Sequence, residues 1–369
     1  MRWTETEEKL LKENFAKASK KQLKRLLPKR TWGAITAKAY NLGLHREKSK
    51  QKPEDTIEYK DFYDKISETL EKKKPKTRPA KYKKVFEGKT KEQACLLLSD
   101  LHIGKTNYWV NEDTGLSELT YNLDIFQEEV NNLLYSVEDI NQLLSGGYDI
   151  EKLHIFGVGD FLDNDMIFSG QKWLVDIGAG MQFIEAIDTF TYLFRELLGI
   201  FKEIEVTLVG GNHGRVSSRA SEAKPFYNSW EYLLGSMLKR LFKDQSRIKI
   251  VTPQSWFFRK KIGKWRYFLH HGDTVHSWMG FPYYGISRQG KSRRMEMNID
   301  IECIGHFHRV FNIPISSNSI TLVNGCWIPK DSWSWKKYGY ITRPKQIYFG
   351  ISPKRPKTWK FDLELDKRG

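Results

Sequence analysis

The sequence predicts an α/β fold in which two sheets pack together between helices, an αββα sandwich, preceded by a small all-α unit of three helices. Three observations predict it. From Gln93 onward, short apolar runs that read as buried strands ("ACLLLSD", "KLHIFGVGD", "EVTLVGGN") alternate with amphipathic stretches such as "DIFQEEVNNLLYSVEDINQLL" and "MQFIEAIDTFTYLFRELLGIF"; that order implies a sheet with crossovers. Later, "SWFFRKKIGKWRYFLHHGD" and "FNIPISSNSITLVNGCW" read as hairpins, so a second, mostly antiparallel sheet is expected. At the front, tryptophans and leucines recur at helical spacing over fewer than fifty residues.

The front elements follow from their start and stop signals. Thr4 with Glu7 makes a capping box, and Leu10, Leu11 and Phe15 follow at helical spacing behind Trp3. A second helix starts at Ser19, carries Leu23, Leu26 and Leu27, and stops before Pro28. A third runs from about Trp32 to Asn41 and ends at Gly43. Trp3, Phe15, Leu27, Trp32, Ile35 and Leu42 form the expected core. The outer face of the third helix then offers Thr36, Lys38 and Asn41, with Lys29 and Arg30 at its entrance.

Charge is distributed unevenly. The formal net charge is +16, and residues 1–92 hold 27 Lys and Arg against 14 Asp and Glu, which places +13 of it there. Such a segment is a footprint for a polyanion, of which nucleic acid is the commonest, although an anionic membrane or plain solubility also fits. Residues 48–92 read as a basic connector with one polar helix near 54–73, followed by "KKKPKTRPAKYKK", whose prolines favour an extended path. The domains are therefore expected at 1–47, 48–92 and 93–369, and 369 residues at 40% hydrophobic content suffice for a large core plus a smaller module. Cys95, Cys303 and Cys326 are too few and too scattered for a disulfide framework or a thiolate cluster, and read as buried small hydrophobes. No apolar leader or run of about 18 apolar residues is present, so a soluble cytoplasmic protein is expected.

The chemistry lies at the strand ends. "LLLSDLHIG" delivers Asp100 and His102; "IFGVGDFLDND" delivers Asp160 and Asp163; "TLVGGNHGR" delivers Asn212 and His213; "YFLHHGD" delivers His270, His271 and Asp273; "IECIGHFHRV" delivers His306 and His308. Six of the nine histidines lie in these loops. A lone histidine after a strand is usually structural, but five coincidences of one kind point to a shared centre above a sheet edge. Asp, Asn and His without thiolates suit manganese, iron or zinc.

The order D-x-H, G-D-x-x-D, G-N-H, H-G and G-H-x-H resembles that of the calcineurin-like metallophosphoesterases, over residues 94 to about 327. The resemblance implies two divalent cations, manganese foremost, with iron, zinc, nickel and magnesium as alternatives. One would be held by Asp100, His102, Asp160 and His308; the other by Asp160, Asn212, His271 and His306, with Asp160 shared. His271 is preferred over His270 because the family places its ligand directly before the glycine, and strand alternation sends His270 to the opposite face. His213 is the implied general acid. Where the family commonly has Asp or Glu after that histidine, this chain has Gly214, so Asp163 is expected to orient His213 instead.

Residues 1–47 resemble the Myb/SANT-like helix-turn-helix through "W-T-x-x-E-E" and "R-T-W-G-A-I-x-A-K-A-x-x-L-G-L". That implies a third helix in the major groove of duplex DNA, with Lys29, Arg30, Lys38 and Asn41 as contacts; the alternative is a bundle that binds protein. Arg215 and Arg219, beside the metal motif, are expected phosphate contacts, and "SRQGKSRRMEM" adds a weaker basic cluster. "HSWMGFPYYG" either packs under a loop or stacks bases.

Together these readings predict a metal-dependent DNA nuclease, an endonuclease or nickase, similar to repair and bacteriophage nucleases of the superfamily and acting in a bacterial or phage-infected cell. Two alternatives stay open. One is a phosphatase or phosphodiesterase for phosphoprotein or small phosphoesters; against phosphoprotein, Asn164 and Asp165 stand where protein phosphatases have Arg-Gly. The other is a DNA-binding regulator with a non-catalytic metal site.

Overall fold

The computed structural model describes residues 3–44, 90–216, 226–277 and 282–366. The chain divides into two compact units, Met1–Lys72 and Lys73–Gly369. Their boundary, the helix expected near 54–73 and nearly all of the basic connector lie outside the described residues.

In the first unit, α1 (Glu5–Asn14), α2 (Lys20–Leu26) and α3 (Trp32–Asn41) form where the caps put them. The Thr4–Glu7 capping box is complete, and Ser19 makes a second one with Gln22. The Thr31 hydroxyl accepts from the Ala34 amide at 3.2 Å and caps α3. Each cap satisfies amides the helix itself leaves unpaired, about 1 kcal/mol apiece. Leu11, Phe15, Leu23, Leu27, Ile35 and Ala39 fill the core, with Trp3, Trp32 and Leu42 packed against it.

Arg30 departs from its expected place on the partner-facing surface. It is only 8% exposed: Nε donates to Glu7 Oε1 at 2.9 Å, a terminal nitrogen donates to Glu7 Oε2 at 2.7 Å, and the guanidinium lies 4.7 Å from the Trp3 ring. Bidentate geometry and stacking make it a clamp between helix starts. Lys38 is also engaged, 2.5 Å from Glu8 Oε1, whereas Lys29 and Asn41 are exposed. The Thr36 hydroxyl donates back to carbonyls of its own helix, Trp32 and Gly33.

The Arg30 hydrogen bond, then the Thr4 amide, pull the Glu7 carboxyl from 4.5 to about 2. The stabilisation is therefore complete above about 4.5 and is lost as pH falls through about 2. Hydrogen exchange of peptides spanning residues 5–14 in the intact chain, corrected for intrinsic rates, should show protection falling across that window. In Glu7→Gln this dependence should vanish, with protection lower throughout.

In the second unit, a six-stranded sheet has the order β13-β12-β1-β4-β5-β6. Here β1 is Thr90–Leu98, β4 Tyr148–Val158, β5 Glu203–Val209, β6 Ile248–Val251, β12 Lys345–Ile351 and β13 Lys360–Glu364. The central strands β1, β4, β5 and β6 are parallel, and β12 and β13 add antiparallel ladders. Strand β1 begins three residues ahead of the expected start of this domain, because Glu92 is buried and accepts from Thr358 Oγ1 and Trp359 Nε1. A short hairpin, β2 (Asn107–Val110) with β3 (Ser117–Tyr121), stands apart.

The second sheet has the order β10-β11-β9-β8-β7, with β7 Phe257–Ile262, β8 Trp265–His270, β9 Ile301–Ile304, β10 Phe311–Ser316 and β11 Ser319–Val323. The two expected hairpins are present, but the sheet is not mostly antiparallel: β8, β9 and β11 are parallel to one another. The connection from β8 to β9 passes through a helix, Tyr283–Met297, which reads in sequence only as a basic cluster. It buries just Gly285, Ile286 and Gly290, so its apolar period is faint.

Between the sheets lie Cys95, Leu97, Phe156, Val158, Val209, Tyr267, Leu269, Cys303, Leu322 and Phe349. The three cysteines are buried and unbridged. Helices α4 (Leu123–Leu144), α5 (Ala179–Ile200) and α6 (Trp230–Leu241) pack against the six-stranded sheet; the Tyr283–Met297 helix, α7, packs on β10 and β11. A short α8 (Ser332–Tyr338) follows. Among the described residues no helix is long and apolar enough to cross a membrane. The layer order is the expected αββα, and it brings the carboxyl ends of β1, β4, β5, β8 and β9 to one edge.

Candidate metal centre

The backbone marks this edge before any side chain is considered. Among the described residues eight non-glycine residues have positive φ, and five are Asp100 (54°), His102 (48°), Asp160 (54°), His306 (70°) and His308 (56°). Left-handed backbone costs a residue with a Cβ about 1–3 kcal/mol and persists where the surroundings over-determine it. Here β1, β4 and β9 end in left-handed turns that carry these polar residues. A Cβ on Gly305 would overlap Asp100 Oδ2, so the approach of the two loops requires glycine there.

Three clusters of ligating groups result among the described residues, one of them, His102, Asp163 and His213, sharing its first member with another. Asp100, His102 and His308 converge, as do Asp160, His271 and His306, with ligand atoms in each set within 4.8 Å of one another. In the first, His102 Nδ1 donates to Asp163 Oδ1 and His308 Nδ1 donates to Asp331 Oδ2, at 2.9 and 2.8 Å. With both Nδ1 protons so placed, the two Nε2 atoms face each other at 3.2 Å. That contact is repulsive in neutral imidazoles and becomes favourable with a cation between them. In the second, His271 Nδ1 donates to the Val158 carbonyl at 2.8 Å, which directs Nε2 toward Asp160 Oδ2 at 2.9 Å and His306 Nδ1 at 3.3 Å.

Asn212 supplies the test of fit. Its Oδ1 is buried and has no hydrogen-bond partner. An unpaired buried oxygen costs about 1–3 kcal/mol, so an oxygen left bare on a loop whose flanking residues, Gly211 and His213, both abut Asp160 suits a divalent cation. The donor set fits the implied pair.

Titration divides the rings: at His308 burial opposes charge, but Cys326 and Asp331 outweigh it and raise the ring well above 6.5, so there a cation would have to displace a proton. Burial, then the charge of His213, lowers His102 to about 3, so its imidazole is neutral and free to coordinate. Burial also opposes charge on His271, but the Asp160 carboxylate outweighs it and raises the ring to about 10. A proton and a cation therefore compete for His271 Nε2. Cation uptake should release a proton below about 10, and affinity should rise with pH up to there. Calorimetric titration with Mn²⁺ in buffers of different ionisation enthalpy reads the number released, and that number should fall by about one in His271→Ala.

His213 lies beside both clusters, its ring centroid 4.5 Å from that of His102. Its amide donates to Asp160 Oδ1 at 2.8 Å. The expected route from Asp163 to His213 needs correcting. The Asp163 carboxylate is on His102 and 3.4 Å from His213 Nδ1; the group that accepts from His213 Nδ1 is the Asp163 main-chain carbonyl, at 2.6 Å. The carboxylate goes to His102 because that imidazole is fully enclosed and must fix its tautomer. His213 is thereby left with Nε2 available for proton transfer.

Several supporting residues carried no signal of this role in the sequence. Asn164 donates through Nδ2 to the carbonyls of His213 and Arg215, holding the Asn212 loop, and Gln171 Nε2 donates to the carbonyl that also orients His213. Asp331 is fully buried, fixes His308 and caps α8 through the Trp333 and Ser334 amides. Its one legible signal is an Asp at a helix start, which points to a cap and not to a metal centre.

The other predicted residues fall as follows. Arg215 Nε donates to the Asn212 carbonyl at 2.8 Å and braces the ligand loop. Arg219 lies outside the described residues. His270 faces away and bonds Glu302 at 2.9 Å, and Arg293 bonds the same carboxylate at 2.7 Å. Arg294 donates to the Ile299 carbonyl, so half of the basic cluster ties α7 to its sheet, while Arg288 and Lys291 are exposed. Of the aromatic stretch, Tyr283 packs on Phe311 with ring centroids 4.7 Å apart.

No known family and no curated protein matches the chain. Among solved structures, the zinc complex of Vps29 from Entamoeba histolytica aligns over 73% of this chain and 99% of its own at 11% identity, with a TM-score of 0.30. A predicted phosphoesterase from Streptococcus pneumoniae aligns over 73% and 98% at 11% identity, with a TM-score of 0.28. A 5'-nucleotidase from Candida albicans aligns over 78% and 53% at 10% identity, with a TM-score of 0.33. Overlaps this low carry no conclusion about fold or chemistry, and what the centre can do rests on its own residues.

Proposed function

We propose that the chain is a metal-dependent phosphoester hydrolase and that its substrate is a DNA phosphodiester. The observation that carries the first half is the pair of convergent clusters, together with the buried, unpartnered Asn212 oxygen on the loop whose His213 amide bonds Asp160. Asp100, His102 and His308 would hold one divalent cation; Asn212, His271 and His306 the other; Asp160 would serve both. Such a pair supplies Lewis acidity, lowering the pKa of water and drawing charge from phosphoryl oxygens. The protein's own groups do the rest. Asp163 and Asp331 hold two imidazoles in the coordinating tautomer, and Val158 does so for a third. His213, oriented through Nδ1, presents Nε2 to protonate a leaving oxygen.

DNA is favoured by the basic amino-terminal segment, which concentrates +13 of the net +16 in residues 1–92, and by exposed Lys29 and Asn41 beside α3. A groove-reading unit suits internal sites better than ends, hence an endonuclease or nickase. The test incubates the chain with supercoiled plasmid and, separately, with chromogenic phosphomonoesters and diesters, with Mn²⁺ or chelator, beside His213→Ala. Nicking that requires both Mn²⁺ and His213 supports the proposal. Monoester turnover alone would move the substrate to a phosphomonoester, and duplex binding without hydrolysis of any substrate would leave a DNA-binding protein. Deleting residues 1–47 should weaken duplex binding and flatten its salt dependence while leaving Mn²⁺ uptake intact.

A further inference from the structure

Gly214, directly after His213, stands where the resembled family carries an acid. The space a side chain would enter there is already taken: a Cβ at this position would overlap both carboxylate oxygens of Glu231. Glu231 comes from the first turn of α6, seventeen residues further on, and is fully buried. Two contacts set its place. The Trp230 amide donates to the Gly214 carbonyl at 2.8 Å, pinning the start of α6 to the ligand loop. The Ser229 hydroxyl caps α6 by accepting from Tyr232, so the helix begins at this point and aims its amino-terminal dipole at the loop.

Neither Glu231 oxygen has a hydrogen-bond partner among the described residues, and Asn212 Oδ1, two residues before Gly214, has none either. A buried carboxylate with nothing to bond is costly, and packing alone would be met more cheaply by an apolar side chain or by glutamine. Burial, then the charge of Asp160, push its carboxyl up to about 8 in the metal-free chain, while His271 acts the other way.

We propose that Glu231 is the carboxylate the Asn212–His213 loop lacks at position 214, a positioning residue delivered from α6 that sets the loop for cation binding at Asn212. The inference rests on the metal reading above and adds a residue to it. Its carboxyl fills the space beneath Gly214 and, with cations bound, would place a negative charge behind the cluster of Asn212, His271 and His306. Gly214 is then the complement of Glu231: the loop keeps hydrogen at one position so that a carboxylate can enter from another.

The test is calorimetric Mn²⁺ titration of the full chain with thermal melts alongside. Glu231→Gln keeps the shape and removes the charge. It should lower the affinity of one of the two cations roughly 10- to 100-fold, the usual effect of losing a residue behind a ligand, and leave the other cation unchanged. Gly214→Ala should lower both that affinity and the melting temperature, and should do neither in a Glu231→Ala background, where the overlap is gone. Gly214→Asp combined with Glu231→Ala should recover affinity relative to Glu231→Ala alone. Glu231→Gln binding both cations with wild-type affinity overturns the proposal, as does an equal effect of Gly214→Ala in both backgrounds. A wild-type chain that takes up no Mn²⁺ overturns the metal reading itself, and this role with it.

Discussion

Asp160→Ala should abolish tight binding of a second cation and hydrolysis together, and should destabilise the metal-free protein as well. Asp160 is 1% exposed, its Oδ2 is 2.9 Å from His271 Nε2, and its Oδ1 accepts from the His213 amide. In the metal-free chain its carboxylate is held well below the usual range: burial opposes this, but His271 and then His213 outweigh it. Removing it leaves the His271 imidazolium buried without its counter-charge, which in proteins costs about 3–5 kcal/mol unless the ring gives up its proton. The melting temperature of the metal-free variant should therefore fall furthest below the wild type's under about pH 6.5, and the gap should shrink toward about 10, where the wild-type His271 also becomes neutral. Cation content after gel filtration, measured by elemental analysis, should drop from two per chain to one or none. Two tightly bound cations in Asp160→Ala would contradict the shared-ligand reading. Asp160→Asn separates charge from shape and should reproduce the loss of cations with a smaller loss of stability.

How much of this was legible follows from how local each signal is. The candidate ligands were readable because each sits within four residues of an apolar strand, so D-x-H or G-H-x-H carries both the strand end and the residue types that converge there. The helices at residues 5–41 were readable for the same reason, since caps and apolar spacing act over three or four residues. What escaped the sequence acts across the chain. Asp331 meets His308 from 23 residues away and Gln171 meets His213 from 42. Glu231 advertises itself only as an acid in the first turn of a helix. Arg30 was misread because Glu7, its partner, lies 23 residues earlier on another helix. The parallel core of the second sheet was hidden by the nearly polar α7, whose few buried positions are mostly glycine. The division of Asp163 between its carboxylate on His102 and its carbonyl on His213 is a matter of tenths of an ångström, to which residue order is blind.

His213→Gln should separate proton donation from cation binding. Its ring is held through Nδ1 by the Asp163 carbonyl, and Phe168 packs beside it with ring centroids 5.0 Å apart; it converges with His102 and Asp163 but is absent from the clusters of Asp100, His102, His308 and of Asp160, His271, His306. Both cations should bind the variant with nearly wild-type affinity. A general acid matters in proportion to how badly the leaving oxygen needs a proton, and contributes roughly 10²- to 10⁴-fold where it does. A nitrophenolate leaves without one; a deoxyribose alkoxide does not. The variant should therefore lose about two orders of magnitude or more in kcat on plasmid DNA or an alkyl phosphodiester, and only a few-fold on a bis-nitrophenyl diester. On the wild-type protein, a plot of log kcat against leaving-group pKa should be shallow; in His213→Gln it should steepen. Equal losses on both substrate classes with cations retained would place His213 as a phosphate contact instead, in which case KM would rise and the slope would stay that of the wild type.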